Sequence, residues 1–233
     1  MTAVTPGRLD RAVAGAVDAL REEVARLHAE LVRYGLVVWT AGNVSARVPG
    51  ADLLVIKPSG VSYDDLAADN MIVCTLDGEV VEGERAPSSD TAAHAYVYRH
   101  MPEVGGVVHT HSTYACAWAA RCEPVPCVLT MQADEFGGEI PVGPFALIGD
   151  DSIGRGIVET LRGSRSPAVL MAKHGPFTIG RTAKDAVKAA VMCEDVCRSV
   201  HVSRQLGEAE PIGEDDVRRL YERYQSVYGQ PGG

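Results

Sequence analysis

The stretch Gly105-Gly106-Val107-Val108-His109-Thr110-His111 places two histidines, spaced by one residue, directly after a short apolar run. Such a run is typical of a buried strand, which we predict over residues 106–111. Successive side chains of a strand point to opposite faces, so His109 and His111 lie on the same face. The stretch therefore predicts a strand that presents two imidazoles to one cation.

Two further residues complete a candidate metal site. His174 follows the apolar run 168–172, and Asp90 follows Pro87-Ser88-Ser89. Three neutral imidazoles and one carboxylate suit a borderline divalent ion such as zinc, and they leave room for a substrate. Zinc is the predicted ion, and manganese or cobalt fits the same ligands. The predicted metal ligands are Asp90, His109, His111 and His174.

Three polar turns separate apolar segments of the chain, at residues 42–45, 57–60 and 87–89. Glycines let the backbone approach a ligand closely, serines and free N–H groups donate to an anion, and Lys57 adds a positive charge. Each turn alone is an ordinary loop, because these residue types are common in turns. Together the three turns predict a pocket for a phosphate group.

Composition bounds the class of protein. The chain has 233 residues, of which 46% are hydrophobic, and we expect a single domain over 1–233. A net charge of −9 without a basic stripe argues against nucleic acid as a partner. The first residues lack the apolar segment of a signal peptide, and no later run is long enough to span a bilayer. We therefore expect a cytoplasmic protein with no membrane partner.

Apolar periodicity and turn signals give the order of the elements. Helices are predicted over 8–34, 91–99, 112–120, 151–161, 183–206 and 214–226. Strands are predicted over 36–39, 53–56, 71–75, 79–81, 106–111 and 168–172. Asp77-Gly78 favours a hairpin between two of these strands, which argues against a wholly parallel sheet. The predicted fold class is α/β, a layered α/β/α sandwich with a mixed, largely antiparallel central sheet.

Several motifs in a fixed order carry a family resemblance. They are GNVSARV at 42–48, VIKPSGVSYDDL at 55–66, PSSDTAAH at 87–94, GGVVHTHS at 105–112 and KHGPF at 173–177. With these motifs the chain resembles the class II aldolase and adducin-like superfamily, and within it most closely the L-ribulose-5-phosphate 4-epimerases. The resemblance implies a class II aldolase-like fold, the same four metal ligands, and a homotetramer with active sites at subunit interfaces.

The resemblance also implies roles for individual residues. The substrate phosphate would be bound by Gly42, Asn43, Lys57, Ser59, Gly60, Ser88 and Ser89. Asp134, in the run 133–138, and Tyr228, in the run 228–230, would serve as acid and base from the neighbouring subunit. His94 also matches the family motif, and we expect it to support the site or to pack rather than to bind the metal.

The activity implied is that of a metal-dependent epimerase that interconverts L-ribulose 5-phosphate and D-xylulose 5-phosphate. The carbon that bears this secondary alcohol has no acidic C–H of its own, so deprotonation cannot invert it. The neighbouring carbon–carbon bond must therefore break and re-form by retro-aldol and aldol steps. A phosphorylated ketose is the implied substrate. Asp90 favours an epimerase, because the related aldolases usually carry glutamate at this position.

Other functions stay open at this stage. The chain has Thr130-Met131-Gln132 and Arg218-Arg219 where epimerases commonly carry histidines, so an aldolase of the L-fuculose-1-phosphate type is an alternative. A non-catalytic, adducin-like binding protein is a second alternative, but such a protein should have lost metal ligands. A metal-dependent hydrolase is a third, and it would not need the phosphate turns.

Overall fold

The computed structural model describes residues 10–227. The helices are α1 (Arg11–Arg33), α2 (Thr91–His100), α3 (Thr113–Arg121), α4 (Thr130–Phe136), α5 (Ser152–Leu161), α6 (Ala183–Arg204) and α7 (Glu214–Val227). The strands are β1 (Asn43–Arg47), β2 (Leu53–Ile56), β3 (Ile72–Thr75), β4 (Val80–Glu82), β5 (Gly106–His109), β6 (Val142–Gly143), β7 (Ala168–Met171) and β8 (Pro176–Gly180). None of the helices in this part of the chain is long and apolar enough to cross a membrane.

The strands form one eight-stranded sheet in the order β4-β3-β2-β1-β5-β8-β7-β6. Every neighbouring pair is antiparallel except β6 and β7, which run parallel. β5 lies near the centre, where His109 is opposite Asn43 of β1 and Phe177 of β8. The predicted mixed, largely antiparallel sheet is confirmed.

Helices cover both faces of this sheet. Val107 of β5 belongs to an apolar cluster with side chains of α2 and α5, whereas Val108 belongs to a cluster with α1 and α6. Alternation along a strand explains why consecutive valines reach different layers. The predicted α/β/α sandwich is therefore confirmed, and β5 is buried from both sides.

A third apolar cluster extends the molecule beyond the sandwich. It joins α3 and α4 to the second half of α6 and to the outward side of β7. The last helix, α7, packs on α4 through Val217, Ala133 and Cys127. The helices α4 and α7 therefore form a separate corner of the fold.

The predicted strand over 36–39 is wrong, and so is the predicted turn over 42–45. Val38 and Trp39 are 74% and 88% exposed, and Trp39 has a left-handed φ of 59°. The strand begins instead at Asn43. Asn43 and Ser45 are buried and hydrogen-bonded, so polar side chains that resemble a turn in the sequence lie inside the sheet.

Besides β1, the strands β6 and β8 and the helix α4 are absent from the predicted order. β8 begins at Pro176, which can open a strand because its missing N–H is tolerated at a strand's first residue. The turn signal Gly175-Pro176 therefore hides a strand that follows at once. α4 has seven residues and no side-chain cap, so it gives little periodicity to detect.

Gly106→Ala is expected to destabilise the fold. A Cβ at this position would lie 2.4 Å from the Ala183 Cα, a backbone atom at the start of α6. Forcing extra volume into a packed interior lowers the free energy of unfolding by about 1–3 kcal/mol. Urea unfolding of the two proteins measures the difference.

The matched control is Gly15→Ala on the exposed side of α1, where an added Cβ meets no atom within 4 Å. Alanine in a helix interior is favoured over glycine by about 0.5–1 kcal/mol, so this variant should gain stability. Equal stability of Gly106→Ala and the parent chain would contradict the close approach of β5 to α6.

Candidate metal centre and phosphate cradle

Three histidines converge where β5 meets the turn between β7 and β8. His109 is the last residue of β5, His111 lies two residues beyond it, and His174 lies in the turn. The strand is thus shorter than predicted, and His111 follows it rather than belonging to it. One ligand atom from each histidine lies within 4.8 Å of the others. Among the described residues, these three form a group that could hold a metal ion.

The orientation of His109 is fixed by its surroundings. Its Nδ1 donates to the Pro176 carbonyl at 3.0 Å, and its ring stacks on Phe177 with centroids 4.1 Å apart. Nε2 is therefore the nitrogen with a free lone pair, and it lies 2.9 Å from His111 Nε2. Burial lowers the pKa of His109 to about 3, so the ring is neutral at pH 7, as a metal ligand must be.

Asp90 lies at the start of α2 and lines the same cavity as the histidines. Asn43 Nδ2 donates to Asp90 Oδ2 at 2.7 Å and to Ser88 Oγ at 3.0 Å. Burial raises the pKa of Asp90, but the neighbouring imidazoles of His109 and His94 and the Asn43 amide together lower it by more. The net pKa is lowered, so Asp90 is a carboxylate. Asp90 thus brings a negatively charged oxygen to the cavity of the three neutral imidazoles, although it lies outside the group whose ligand atoms are within 4.8 Å of one another.

Two buried polar atoms fit a cation in this position. Asp90 Oδ1 and His174 Nε2 are buried and have no hydrogen-bond partner among the described residues. Buried polar atoms are nearly always paired, and both residues line the same cavity, so a cation held there would give each atom a partner. Three nitrogens and a carboxylate oxygen are a donor set that suits zinc, manganese or cobalt.

A cavity of about 270 Å³ brings the predicted residues together. It is lined by all four predicted metal ligands and all seven predicted phosphate residues: Asp90, His109, His111, His174, Gly42, Asn43, Lys57, Ser59, Gly60, Ser88 and Ser89. Thr40, Ala41 and Ile148 also line it, and no sequence motif singled them out. The apolar Ile148 lies outside every motif, so only the folded chain reveals its place.

Two of the polar turns are joined backbone to backbone. The Ser88 N–H donates to the Lys57 carbonyl at 3.0 Å, and the Ser59 N–H donates to the Ala86 carbonyl at 2.9 Å. These bonds hold the turn at 57–60 against the turn at 87–89. Serines that are far apart in the sequence therefore face one cavity.

Lys57 is a buried cation at the edge of this cavity. It is 2% exposed, its Nζ donates to the Thr40 carbonyl at 2.8 Å, and Nζ lies 5.1 Å from the centroid of the Tyr63 ring. Burial lowers the pKa of Lys57, and the charge of Asp90 opposes this change. An ammonium group withdrawn from water binds an anion more strongly than an exposed one. Lys57 is thus placed to bind phosphate.

Gly42 is required by the close approach of its loop to β5. Its φ is +80°, and a Cβ would lie 2.6 Å from Val37 Cγ1 and 3.0 Å from the His109 carbonyl oxygen. The Tyr63 hydroxyl donates to the Ala41 carbonyl at 2.8 Å and so anchors the same loop. Tyr63 therefore contacts both the loop and Lys57, a role that its sequence motif alone does not indicate.

The predicted acid and base are not brought to this cavity within the described chain. Asp134 lies on α4, is partly buried, and does not line the cavity of the histidines. Its Oδ1 is buried without a hydrogen-bond partner among the described residues. Tyr228 lies outside the described residues.

A larger cavity, of about 450 Å³, lies at the other end of β8. Its lining includes Gly180 of β8, Glu135 of α4, and Lys188, Tyr221 and Tyr224 of α6 and α7. Among the described residues, none of those predicted for the metal or the phosphate lines it, nor does Asp134. The predicted residues thus meet in the smaller of the two cavities.

The metal-free protein is expected to lose stability as the pH falls below about 6.5. His28 and His94 are fully buried, and burial lowers their pKa values to about 3 and about 4. Below about pH 6.5 these histidines bind protons in the unfolded chain but not in the folded chain. Each of them therefore lowers the free energy of unfolding by up to about 1.4 kcal/mol per pH unit, until the pH reaches its folded pKa.

Urea unfolding in the presence of a chelator, at fixed protein concentration between pH 7.5 and 5, measures this dependence. His28 should contribute because its Nδ1 donates to the Val24 carbonyl while its Nε2 accepts from the Val44 N–H at 3.0 Å, and protonation removes the second bond. A free energy of unfolding that stays constant over this range would contradict the burial of neutral imidazoles.

Comparison with known proteins agrees with this geometry. Residues 22–201 match the family model of the class II aldolase and adducin N-terminal domain. The L-ribulose-5-phosphate 4-epimerase UlaF of Salmonella paratyphi B (strain ATCC BAA-1250 / SPB7) is 40% identical over 231 residues, which cover 92% of this chain and 100% of the relative. The resemblance predicted from the sequence motifs is confirmed.

Solved structures support the same fold. An L-fuculose 1-phosphate aldolase aligns with a TM-score of 0.83 and 26% identity, over 89% of this chain and 96% of that protein. YgbL from Klebsiella pneumoniae aligns with a TM-score of 0.77 and 29% identity, over 88% of this chain and 99% of that protein.

Proposed function

Because the chain belongs to the family of class II aldolases and adducin N-terminal domains, we propose that it is a metal-dependent L-ribulose-5-phosphate 4-epimerase. One observation carries the proposal: a single cavity unites the histidine cluster with the residues of a phosphate cradle. The similarity to UlaF over nearly the whole chain supports the choice of reaction. The substrate is then a phosphorylated ketose, interconverted between L-ribulose 5-phosphate and D-xylulose 5-phosphate.

His109, His111, His174 and Asp90 would hold the cation, with zinc as the expected ion and manganese or cobalt as alternatives. When bound, such an ion supplies Lewis-acid stabilisation of the negative charge that develops on the ketose oxygens as the carbon–carbon bond breaks. His109 is held in one tautomer by Pro176, and Asp90 is oriented by Asn43. The chain itself therefore contributes ligands fixed before the substrate arrives.

The cradle would bind the phosphate and orient the sugar. Lys57 offers a positive charge, the two serine-containing turns offer hydroxyl and N–H donors, and Gly42 leaves room for close approach. Fixing the phosphate end of the substrate keeps the cleaved fragment in the cavity. The fragment can then turn and re-bond on its other face, which is the step that separates epimerisation from net cleavage.

An aldolase of the L-fuculose-1-phosphate type is the second candidate. The structural alignment with L-fuculose 1-phosphate aldolase favours it, and both activities need the same metal-assisted cleavage. Asp90 in place of glutamate favours the epimerase. A non-catalytic, adducin-like binding role does not account for the retention of three converging histidines beside a carboxylate.

Incubation of the zinc-loaded protein with L-ribulose 5-phosphate, followed by NMR, tests the proposal. We expect D-xylulose 5-phosphate to appear without free aldehyde, and a parallel sample with L-fuculose 1-phosphate should stay unchanged. His109→Asn should lose most of the bound metal and nearly all turnover while remaining folded, because it removes the ligand that the sheet orients.

The matched control is His201→Asn, which makes the same substitution at an exposed position of α6 and should keep full metal content and activity. Release of a triose phosphate and an aldehyde from L-fuculose 1-phosphate would identify the aldolase instead. Turnover of L-ribulose 5-phosphate by His109→Asn at the parent rate would exclude the proposed metal site.

We further propose that Asp134 and Tyr228 provide acid and base to the cavity of a neighbouring subunit in a homotetramer. β8 begins at Pro176 beside His109 and ends at Gly180, which lines the cavity that Tyr224 of α7 also lines. A five-residue strand is roughly 13 Å long. Within one subunit, the described end of α7 and the histidines thus lie toward opposite ends of β8, which favours a site built from two subunits.

Mixing two inactive variants tests this arrangement. Tyr228→Phe keeps the metal ligands but should turn over poorly, and His109→Asn keeps the tyrosine but loses the metal. After co-refolding at equal amounts, about a quarter of the sites should combine an intact metal half with an intact acid–base half, so activity should reappear. A mixture no more active than its components, or a monomer by light scattering, would exclude the shared site.

A further inference from the structure

The inner face of α2 carries three polar residues in line. Asp90, His94 and Tyr98 are spaced by four residues, so they lie one above another along the same side of the helix. β1 faces them with Asn43 and Ser45, which are two residues apart and therefore share one face of the strand. Two regular elements thus meet through polar side chains.

Hydrogen bonds connect the two faces at each level. Asn43 Nδ2 donates to Asp90 Oδ2 at 2.7 Å. Ser45 Oγ lies 2.7 Å from His94 Nδ1 and 2.7 Å from the Tyr98 hydroxyl oxygen. Ser45, His94 and Tyr98 are all 0% exposed, so water does not compete for these bonds. The contacts fix the rotation and the height of α2 against the sheet.

Two atoms of this face have no partner among the described residues: His94 Nε2 and Asp90 Oδ1, both buried. They belong to residues one helical turn apart on the same face. Side chains one turn apart on a helix face are neighbours, so an unpaired donor at His94 Nε2 would complement an unpaired acceptor at Asp90 Oδ1.

The direction of the hydrogen bonds decides which nitrogen of His94 carries the proton. The buried Tyr98 hydroxyl has Ser45 Oγ as its hydrogen-bond partner among the described residues, so its O–H would stay unpaired unless it donates to Ser45. Ser45 has one proton and then donates it to His94 Nδ1. A neutral imidazole that accepts at Nδ1 carries its proton at Nε2. The hydrogen bonds from Tyr98 to Ser45 and from Ser45 to His94 therefore place the proton of His94 on Nε2, where it can serve as a donor toward Asp90.

We propose that His94 is a positioning residue for the metal-binding carboxylate of Asp90. Its Nε2–H faces the carboxylate charge from the α2 side, without a hydrogen bond in this structure, while the Asn43 amide holds Oδ2 from the β1 side. A hydrogen bond on one side and a favourable charge on the other restrict the orientation of the carboxylate relative to the three histidines. The inference rests on the proposed function, since it requires Asp90 to bind the metal.

A role in packing alone does not account for these contacts. An apolar residue would fill the space without leaving a buried polar atom unpaired, which is unfavourable in a protein interior. His94 instead contacts Phe177 by its edge, with centroids 6.2 Å apart, and Phe177 in turn stacks on His109. His94 thus lies one helical turn from Asp90 and contacts the ring that stacks on His109, without belonging to the histidine cluster.

Two substitutions separate the nitrogens of His94. Glutamine places its amide nitrogen near the position of Nε2, whereas asparagine reaches only as far as Nδ1. We expect His94→Asn to weaken zinc binding by about 10–100-fold, the usual effect of losing a group that orients a metal ligand. His94→Gln should retain zinc affinity within a few-fold of the parent. Competition with a chromophoric chelator measures the affinity without any need for turnover.

His100→Asn is the matched control, because it makes the same substitution at the exposed end of the same helix and should leave zinc affinity unchanged. Ser45→Ala, a small change within β1, removes the partner of His94 Nδ1 and should weaken zinc binding several-fold while the fold is kept. If circular dichroism finds the His94 variants unfolded, the zinc affinity of Ser45→Ala tests the positioning role in their place. Equal zinc affinities for His94→Asn and His94→Gln, or an unaltered affinity in Ser45→Ala, would overturn the inference.

Asp90→Asn distinguishes this inference from the proposed function. If Asp90→Asn binds zinc as tightly as the parent, the carboxylate is not a ligand and the proposed metal site itself is wrong. If Asp90→Asn loses zinc while His94→Asn keeps it, the metal site stands and only the positioning role fails. Loss of affinity in both, with rescue by His94→Gln, supports both conclusions.

Discussion

The hydrogen bond from His109 Nδ1 to the Pro176 carbonyl links the architecture of the sheet to the chemistry of the cavity. It exists because β5 and β8 are antiparallel neighbours in a register that sets His109 opposite Phe177. The same register stacks the two rings and turns the free nitrogen of His109 toward His111 and His174. A shift of one residue would turn His109 to the opposite layer and separate the three imidazoles.

The other half of the site depends on how α2 docks on the sheet. Asp90 is placed by the start of the helix, and the helix is held by buried polar contacts with β1 rather than by apolar packing alone. β1 also pairs with β5, so its Asn43 lies opposite His109. Asp90 and His109 are therefore both positioned by one strand pair, whereas His111 and His174 lie in the segments that follow β5 and β7.

Much of the site was predictable from the sequence because its residues belong to local motifs with a chemical reason. His109 and His111 were found from alternation along a strand, and Lys57 from a charge that ends an apolar run. The sequence predictions of 36–39 as a strand and 42–45 as a turn failed because Asn43 and Ser45 are buried polar residues, whose partners lie far away in the chain. Ile148 lines the cavity, and Tyr63 contacts Lys57, only through tertiary contacts, which no local pattern contains.

The placement of the histidines and of the α4–α7 corner toward opposite ends of β8 bears on how subunits associate. If each cavity is completed by a neighbouring subunit, a contact about a two-fold axis would complete two cavities at once, whereas a head-to-tail contact would complete only one. A head-to-tail row that does not close would end in one incomplete cavity, which a closed ring avoids. In either assembly, selection for activity would act on the angle between subunits as well as on the ligands themselves.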